Sequence, residues 1–103
     1  MDILNIKELY EADKIEITKH MFQRMQKRGI SISEIREVIN SGEIIEEYPE
    51  DYPYPSCLIL GHTKRERVIH IVMGTGDDRL WLITAYCPET EKWDSDFRVR
   101  REK

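Results

Sequence analysis

The chain has 103 residues, 40% of them hydrophobic and 35% charged, with a formal net charge of −4. A chain of this length supports one hydrophobic core without dividing, so a single domain over residues 1–103 is expected. The acidic balance argues against a general nucleic-acid binder, because phosphate affinity is supplied largely by Lys and Arg. No apolar run approaches the roughly 20 residues a membrane helix needs, and the first residues lack the pattern of a signal peptide; a cytoplasmic protein with no membrane partner is expected.

The charge is unevenly spread. Glu43, Glu46, Glu47, Glu50 and Asp51 fall in one stretch that contains no base, so the remainder sums to −4 + 5 = +1. A local basic surface is therefore compatible with the overall balance. Cys57 and Cys87 are the two cysteines, each in an apolar, strand-like context that reads as a buried free thiol and not as half of a disulfide framework.

In chain order, Asn5 and Glu8 have the spacing of a capping box, with Ile6, Leu9 and Tyr10 as the apolar side of a short first helix. Ile15 and Ile17 alternate with Glu16, which predicts an extended stretch before Thr18 caps a second helix. From Lys19 to Arg28 the apolar residues Met21, Phe22 and Met25 fall on one side, and His20, Arg24, Lys27 and Arg28 on the other. Gly29 stands where a left-handed closing residue is wanted. Ser31 and Glu34 form a further capping box, opening a helix that turns Ile35, Val38 and Ile39 inward and stops at Gly42.

Four runs rich in β-branched and apolar residues follow, Glu43–Tyr48, Ser56–His62, Val68–Met73 and Arg79–Cys87, separated by turn-forming sequences. Short links favour an antiparallel meander. Helices followed by strands make this an α+β chain: N-terminal helices packed on one face of a four-stranded antiparallel sheet.

His20 and Arg24 are four apart and project together from one helical face, which is either a solvated basic surface or part of a site. His70 lies within an apolar run suited to a central strand, where an imidazole needs hydrogen-bond partners or a function. Thr84 and Tyr86 share a strand face that a neighbouring strand can place beside His70. Cys57, His62, His70 and Cys87 lack the spacing of a zinc site, and Gly74-Thr75-Gly76 precedes a strand instead of a helix, so neither a metal nor a nucleotide cofactor is expected. Trp93 and Phe97 should tuck the tail against the sheet, leaving Arg98, Arg100 and Arg101 as a basic end.

Taken together, Thr18 to Ile30, Val38-Ile39 with Gly42, Pro55-Ser56, Ile69 to Val72, Ile83 to Pro88 and the closing Trp93-Asp94 resemble the bacterial DUF4258 family. That family resembles, more distantly, the RelE-like and colicin-like ribonucleases of the barnase/EndoU/colicin/RelE fold. The resemblance implies the toxin of a toxin–antitoxin pair, an endoribonuclease that works without metal on RNA, including ribosome-bound mRNA, and is held in check by a small zinc-finger antitoxin. Carried over, it marks His20, Arg24, His70 and Thr84 as catalytic candidates.

Cleavage by attack of the ribose 2′-OH on the adjacent phosphorus needs a base, an acid for the departing 5′-oxygen and cations for the phosphorane. On this reading His20 and His70 move protons, Arg24 and Arg28 hold phosphate, and Thr84 and Tyr86 orient the scissile group. Lys27, Arg98 and Arg100 join Arg28 and Tyr86 as substrate-binding candidates. The alternative is a non-catalytic protein-binding module, or an inactive toxin homologue, that docks a partner on the acidic strip Glu43 to Asp51 and its tyrosines. The enzymatic reading requires the two imidazoles to point into one pocket.

Overall fold

A computed structural model describes residues 2–102. The first helix, α1 (Ile3–Glu11), begins earlier than the Asn5 capping box predicts, because the Asp2 side chain accepts from the Leu4 N–H and caps it first. The short strand β1 (Ile15–Glu16) follows. Next come α2 (Lys19–Lys27), capped by Thr18, and α3 (Ile32–Ser41), whose Ser31–Glu34 capping box forms in full. Between them Gly29 adopts a φ of 68°, the left-handed closure its position predicts.

The remaining strands are β2 (Glu43–Tyr48), β3 (Ser56–His62), β4 (Val68–Gly76) and β5 (Arg79–Tyr86). The sheet order is β1-β5-β4-β3-β2. The expected four-stranded antiparallel sheet is therefore corrected to a five-stranded mixed one. The extended stretch after α1 adds itself to β5 in parallel, with Ile15 opposite Leu80 and the Leu80 N–H donating to the Lys14 carbonyl at 2.8 Å. The β4–β5 turn is also tighter than expected. Asp77 and Asp78 both take positive φ, 55° and 56°, which matches the right-handed strand twist and lets β4 run on to Gly76.

Strand alternation divides the buried residues into two layers. Cys57, Ile59, Ile69, Ile71, Met73, Leu82 and Ala85 pack with Ile6, Met21, Met25, Ile35, Val38 and Ile39 into the main core beneath the helices. His70, opposite Leu60 and Tyr86 in register, points to the other face. That face is covered by the C-terminal segment, through Trp93. The continuous apolar run of β3 is the sequence mark of a strand buried on both sides.

Gly61 allows α3 to lie against β3, since a Cβ there would sit 2.3 Å from the Val38 carbonyl oxygen and 2.8 Å from its Cγ1. Gly61→Ala is expected to lower stability by about 1–3 kcal/mol, read as a shift in the urea midpoint at unchanged slope. An unchanged midpoint would mean that α3 moves away freely.

Candidate functional site

Thr18 accepts from the Met21 N–H at 3.1 Å and fixes the start of α2, while Met21 and Met25 bury its apolar stripe. That registration sets Arg28, the C-cap residue, beside β5. Its guanidinium donates to the Thr84 hydroxyl at 3.1 Å and to the Ala85 carbonyl at 2.8 Å. Among the described residues, no carboxylate pairs with it.

The chain after β5 builds the facing wall. Trp93, 2% exposed, pairs with Arg100 in an isolated antiparallel bridge, and the Arg100 guanidinium lies over the indole, 4.6 Å from the ring centroid. Arg100 also donates to both oxygens of Glu46, at 3.1 and 3.2 Å. Between these walls lies a cleft of about 570 Å³ lined by Arg28, Tyr86 and Cys87 on one side and by Glu89, Lys92 and Arg100 on the other, with Trp93 at its base. Cations outnumber acids on its lining three to one.

His70 sits beneath this cleft, 0% exposed. Its Nε2 lies 2.9 Å from the Phe97 carbonyl, and its Nδ1 lies 3.3 Å from the Tyr86 hydroxyl. A carbonyl can only accept, so in the neutral ring Nε2 carries the proton and Nδ1 offers its lone pair to the Tyr86 O–H. Trp93 and Tyr86 both meet the imidazole edge to face, at centroid distances of 4.5 and 5.3 Å. Burial holds the His70 pKa below the ordinary imidazole value, against the upward pulls of the Phe97 hydrogen bond and the Glu46 charge.

That shift links stability to pH. Below about pH 6.5 the unfolded chain takes up a proton that the folded ring resists, so stability is complete above that pH and declines as it is lowered, by at most about 1.4 kcal/mol per unit. The melting temperature is expected to fall on acidification from about pH 7 to about pH 5.5, and less steeply in His70→Phe. Equal slopes would place the titration elsewhere.

The neighbouring groups are similarly tuned. Burial disfavours the Glu46 carboxylate, but hydrogen bonds from Tyr48 and Arg100 outweigh it and hold its pKa below the usual value. Burial and the hydrogen bond to Glu46 push the Tyr48 phenol up to about 12. Burial also raises Tyr86, with Arg100 opposing.

The structure brings Arg28, Thr84, Tyr86 and Arg100 together, with His70 directly below. His20, Arg24 and Lys27 stand exposed on the solvent side of α2. His20 begins the helix and Arg28 ends it, about 12 Å apart along the axis at 1.5 Å per residue. The two imidazoles do not share a pocket: one is in solvent, the other sealed on the sheet face that the helices do not cover. Arg98 pairs with Glu43 at 2.5 Å and Asp96 at 3.3 Å, outside the cleft lining. Glu89 and Lys92 escape sequence reasoning because residues 87–101 carry no helix or strand period. Trp93 and Phe97 are the signal that the segment folds back, and of the two Trp93 is buried and Phe97 half-buried. Cys57 is buried as expected, but Cys87, one residue past the end of β5, is exposed on the cleft. Cys57, His62, His70 and Cys87 do not converge; among the described residues no three His, Cys, Asp or Glu side chains form a metal-binding group.

The family model described as a domain of unknown function, DUF4258, matches residues 17–87. The chain belongs to the DUF4258 family. No curated protein and no solved structure matches it. The DUF4258 match covers α2, α3 and β2 to β5, and so includes Arg28, His70, Thr84 and Tyr86. It ends at Cys87, so Lys92, Trp93 and Arg100, which complete the cleft in this chain, lie beyond it. No helix among the described residues is long and apolar enough to cross a membrane.

Proposed function

We propose that this DUF4258 protein is a metal-independent endoribonuclease of the RelE-like kind, acting in the cytoplasm as the toxin of a toxin–antitoxin pair. The observation that carries the reading is the cleft where Arg28 and Lys92 flank a Tyr86 hydroxyl bonded to a neutral, buried imidazole. With its proton directed to His70 Nδ1, the Tyr86 oxygen presents a lone pair to the cleft. It takes the proton of a ribose 2′-OH as its own passes to His70. The 2′-oxygen then bonds to phosphorus and the bond to the 5′-oxygen breaks. Lys92, on the cleft lining, gives that leaving oxygen a proton, while Arg28 and Arg100 neutralise the phosphorane. Thr84 holds Arg28 in place.

Residues Thr18 to Ile30 contain no acid, and His20, Arg24 and Lys27 extend the positive surface away from Arg28. In this arrangement they contact flanking phosphates and take no part in proton transfer, a change from the role the family resemblance implies for His20. The proposal is tested by inducing expression in bacteria and following growth and RNA integrity. Tyr86→Phe is expected to slow cleavage by about a hundredfold, within the usual range for loss of a general base. His20→Ala should retain most of the activity. Loss of activity in His20→Ala but not in Tyr86→Phe would move the chemistry onto α2.

A further inference from the structure

A second pocket, of about 390 Å³, opens at the other end of β5, where the loop between β2 and β3 crosses the sheet. Its walls are Asp51, Tyr52, Pro53, Tyr54, Gly74, Trp81 and Ile83. Tyr54 and Trp81 stack with centroids 5.5 Å apart and planes at 20°. Their polar edges are already satisfied: the Trp81 indole N–H donates to the Gly76 carbonyl at 3.1 Å, and the Tyr54 hydroxyl donates to Asp77. Apolar surface is what remains for a visitor. Tyr52 is 95% exposed and Ile83 49%, unusual for large apolar side chains on adjacent walls of one pocket.

The pocket is preformed. The Thr75 N–H donates to the Pro55 carbonyl at 3.0 Å, and the Ser56 hydroxyl donates to Asp51, so the loop is pinned at both ends of the aromatic stretch. A Cβ on Gly76 would lie 2.0 Å from the Tyr54 ring, which shows how closely that ring is seated on β4. Ordering a surface before binding lowers the entropy cost of occupying it.

The rim selects the visitor. Asp51 is on the lining and Asp77 accepts from the Tyr54 hydroxyl at its edge, with Glu50 and Asp78 next to them in the chain, and among the described residues none of the four has a cationic partner. The acidic strip read from the sequence is only partly free, because Glu43 is bound to Arg98 and Glu46 to Arg100. Of that strip, Glu47, Glu50 and Asp51 are the acids left without a cation among the described residues, and Asp51 lies on this pocket's lining. Nucleobases stack on aromatic rings too, but they arrive with phosphates that these carboxylates repel. A lysine or arginine beside an aliphatic residue satisfies both the rim and the rings.

We infer that this pocket is a docking site for a protein partner that inserts an apolar side chain flanked by a basic one. It lies at the end of β5 away from the cleft, so a partner can be held there without filling the site where RNA is proposed to react. The inference stands on the pocket's own chemistry, whichever way the cleavage test falls.

The probe is a fluorescent peptide of alternating leucine and lysine, compared by anisotropy with its leucine–glutamate counterpart and with single-stranded oligouridylate. The lysine peptide should bind saturably, about tenfold more weakly to a Tyr52→Ala, Ile83→Ser variant and several-fold more weakly to Asp77→Asn, Asp78→Asn. Arg28→Ala should leave its binding unchanged. Tyr52 is so exposed that its replacement does not threaten the fold, which circular dichroism checks. Equal binding of the glutamate peptide, binding of oligouridylate that Tyr52→Ala abolishes, or lysine-peptide binding indifferent to the Tyr52 variant would each overturn the inference. So would a self-association in sedimentation that Tyr52→Ala disrupts, since it would assign the pocket to a second copy.

Discussion

Arg28→Ala is expected to abolish growth arrest on induction and to slow RNA cleavage by about 10²–10³-fold, the usual loss when one preorganised group that stabilises developing charge is removed. Arg28 is a cleft cation whose position the fold specifies. Thr18 sets the start of α2, Met21 and Met25 set its rotation, and Thr84 and Ala85 receive the guanidinium. Its folding contribution is modest by comparison, about 1 kcal/mol for hydrogen bonds at a partly exposed site. The variant should therefore fold and fail. Arg98→Ala is the matched control, because Arg98 is engaged with Glu43 and Asp96 outside the cleft lining. Equal loss in both variants would make net charge, and not the site, the cause.

Trp93→Ala carries the largest expected effect on stability, about 3–5 kcal/mol for removing a buried indole. That is a large part of the 5–15 kcal/mol typical of a whole domain. The indole is the floor of the cleft, the ceiling over His70 and the surface on which Arg100 lies. Its loss should also admit water to His70 and raise the pKa that burial now depresses. Denaturant unfolding reads the first effect and histidine NMR titration the second. A variant with normal stability and an unchanged His70 titration would show that the C-terminal segment does not cover the sheet.

Much of the fold was legible in local chemistry. The Thr18 and Ser31 caps, Gly29, the Met21 and Met25 stripe of α2 and the apolar spacing of α3 appear at their predicted positions, because helix ends are decided by a few adjacent residues, whereas Phe22, read onto the apolar side of α2, is 41% exposed. The strands after Gly42 were equally readable from their β-branched runs. What escaped was non-local. Whether Ile15 and Glu16 join a sheet depends on β5, more than sixty residues away, and nothing near β1 encodes that.

The site was legible in composition but not in assembly. Arg28, Thr84, Tyr86 and His70 were all singled out, yet a wheel and an alternation pattern give faces of single elements and not which side of the sheet the helices choose. Alternation alone places His70 opposite to Ile69 and Ile71. Since those two face the helices, His70 had to face away from α2. The acidic net charge is compatible with a free cation at the cleft, because acids and bases elsewhere take each other up. Glu16, Glu34, Glu43 and Glu46 each pair with an arginine elsewhere in the chain, while among the described residues Arg28 is left without a carboxylate.

The most direct test is the chemistry of the RNA ends produced after induction. Attack by the 2′-OH leaves a 2′,3′-cyclic phosphate on one fragment and a 5′-hydroxyl on the other. The account predicts those ends with the wild-type chain and their disappearance in Arg28→Ala and Tyr86→Phe. Fragments bearing 5′-phosphates, or cyclic-phosphate ends that persist undiminished in both variants, would contradict it.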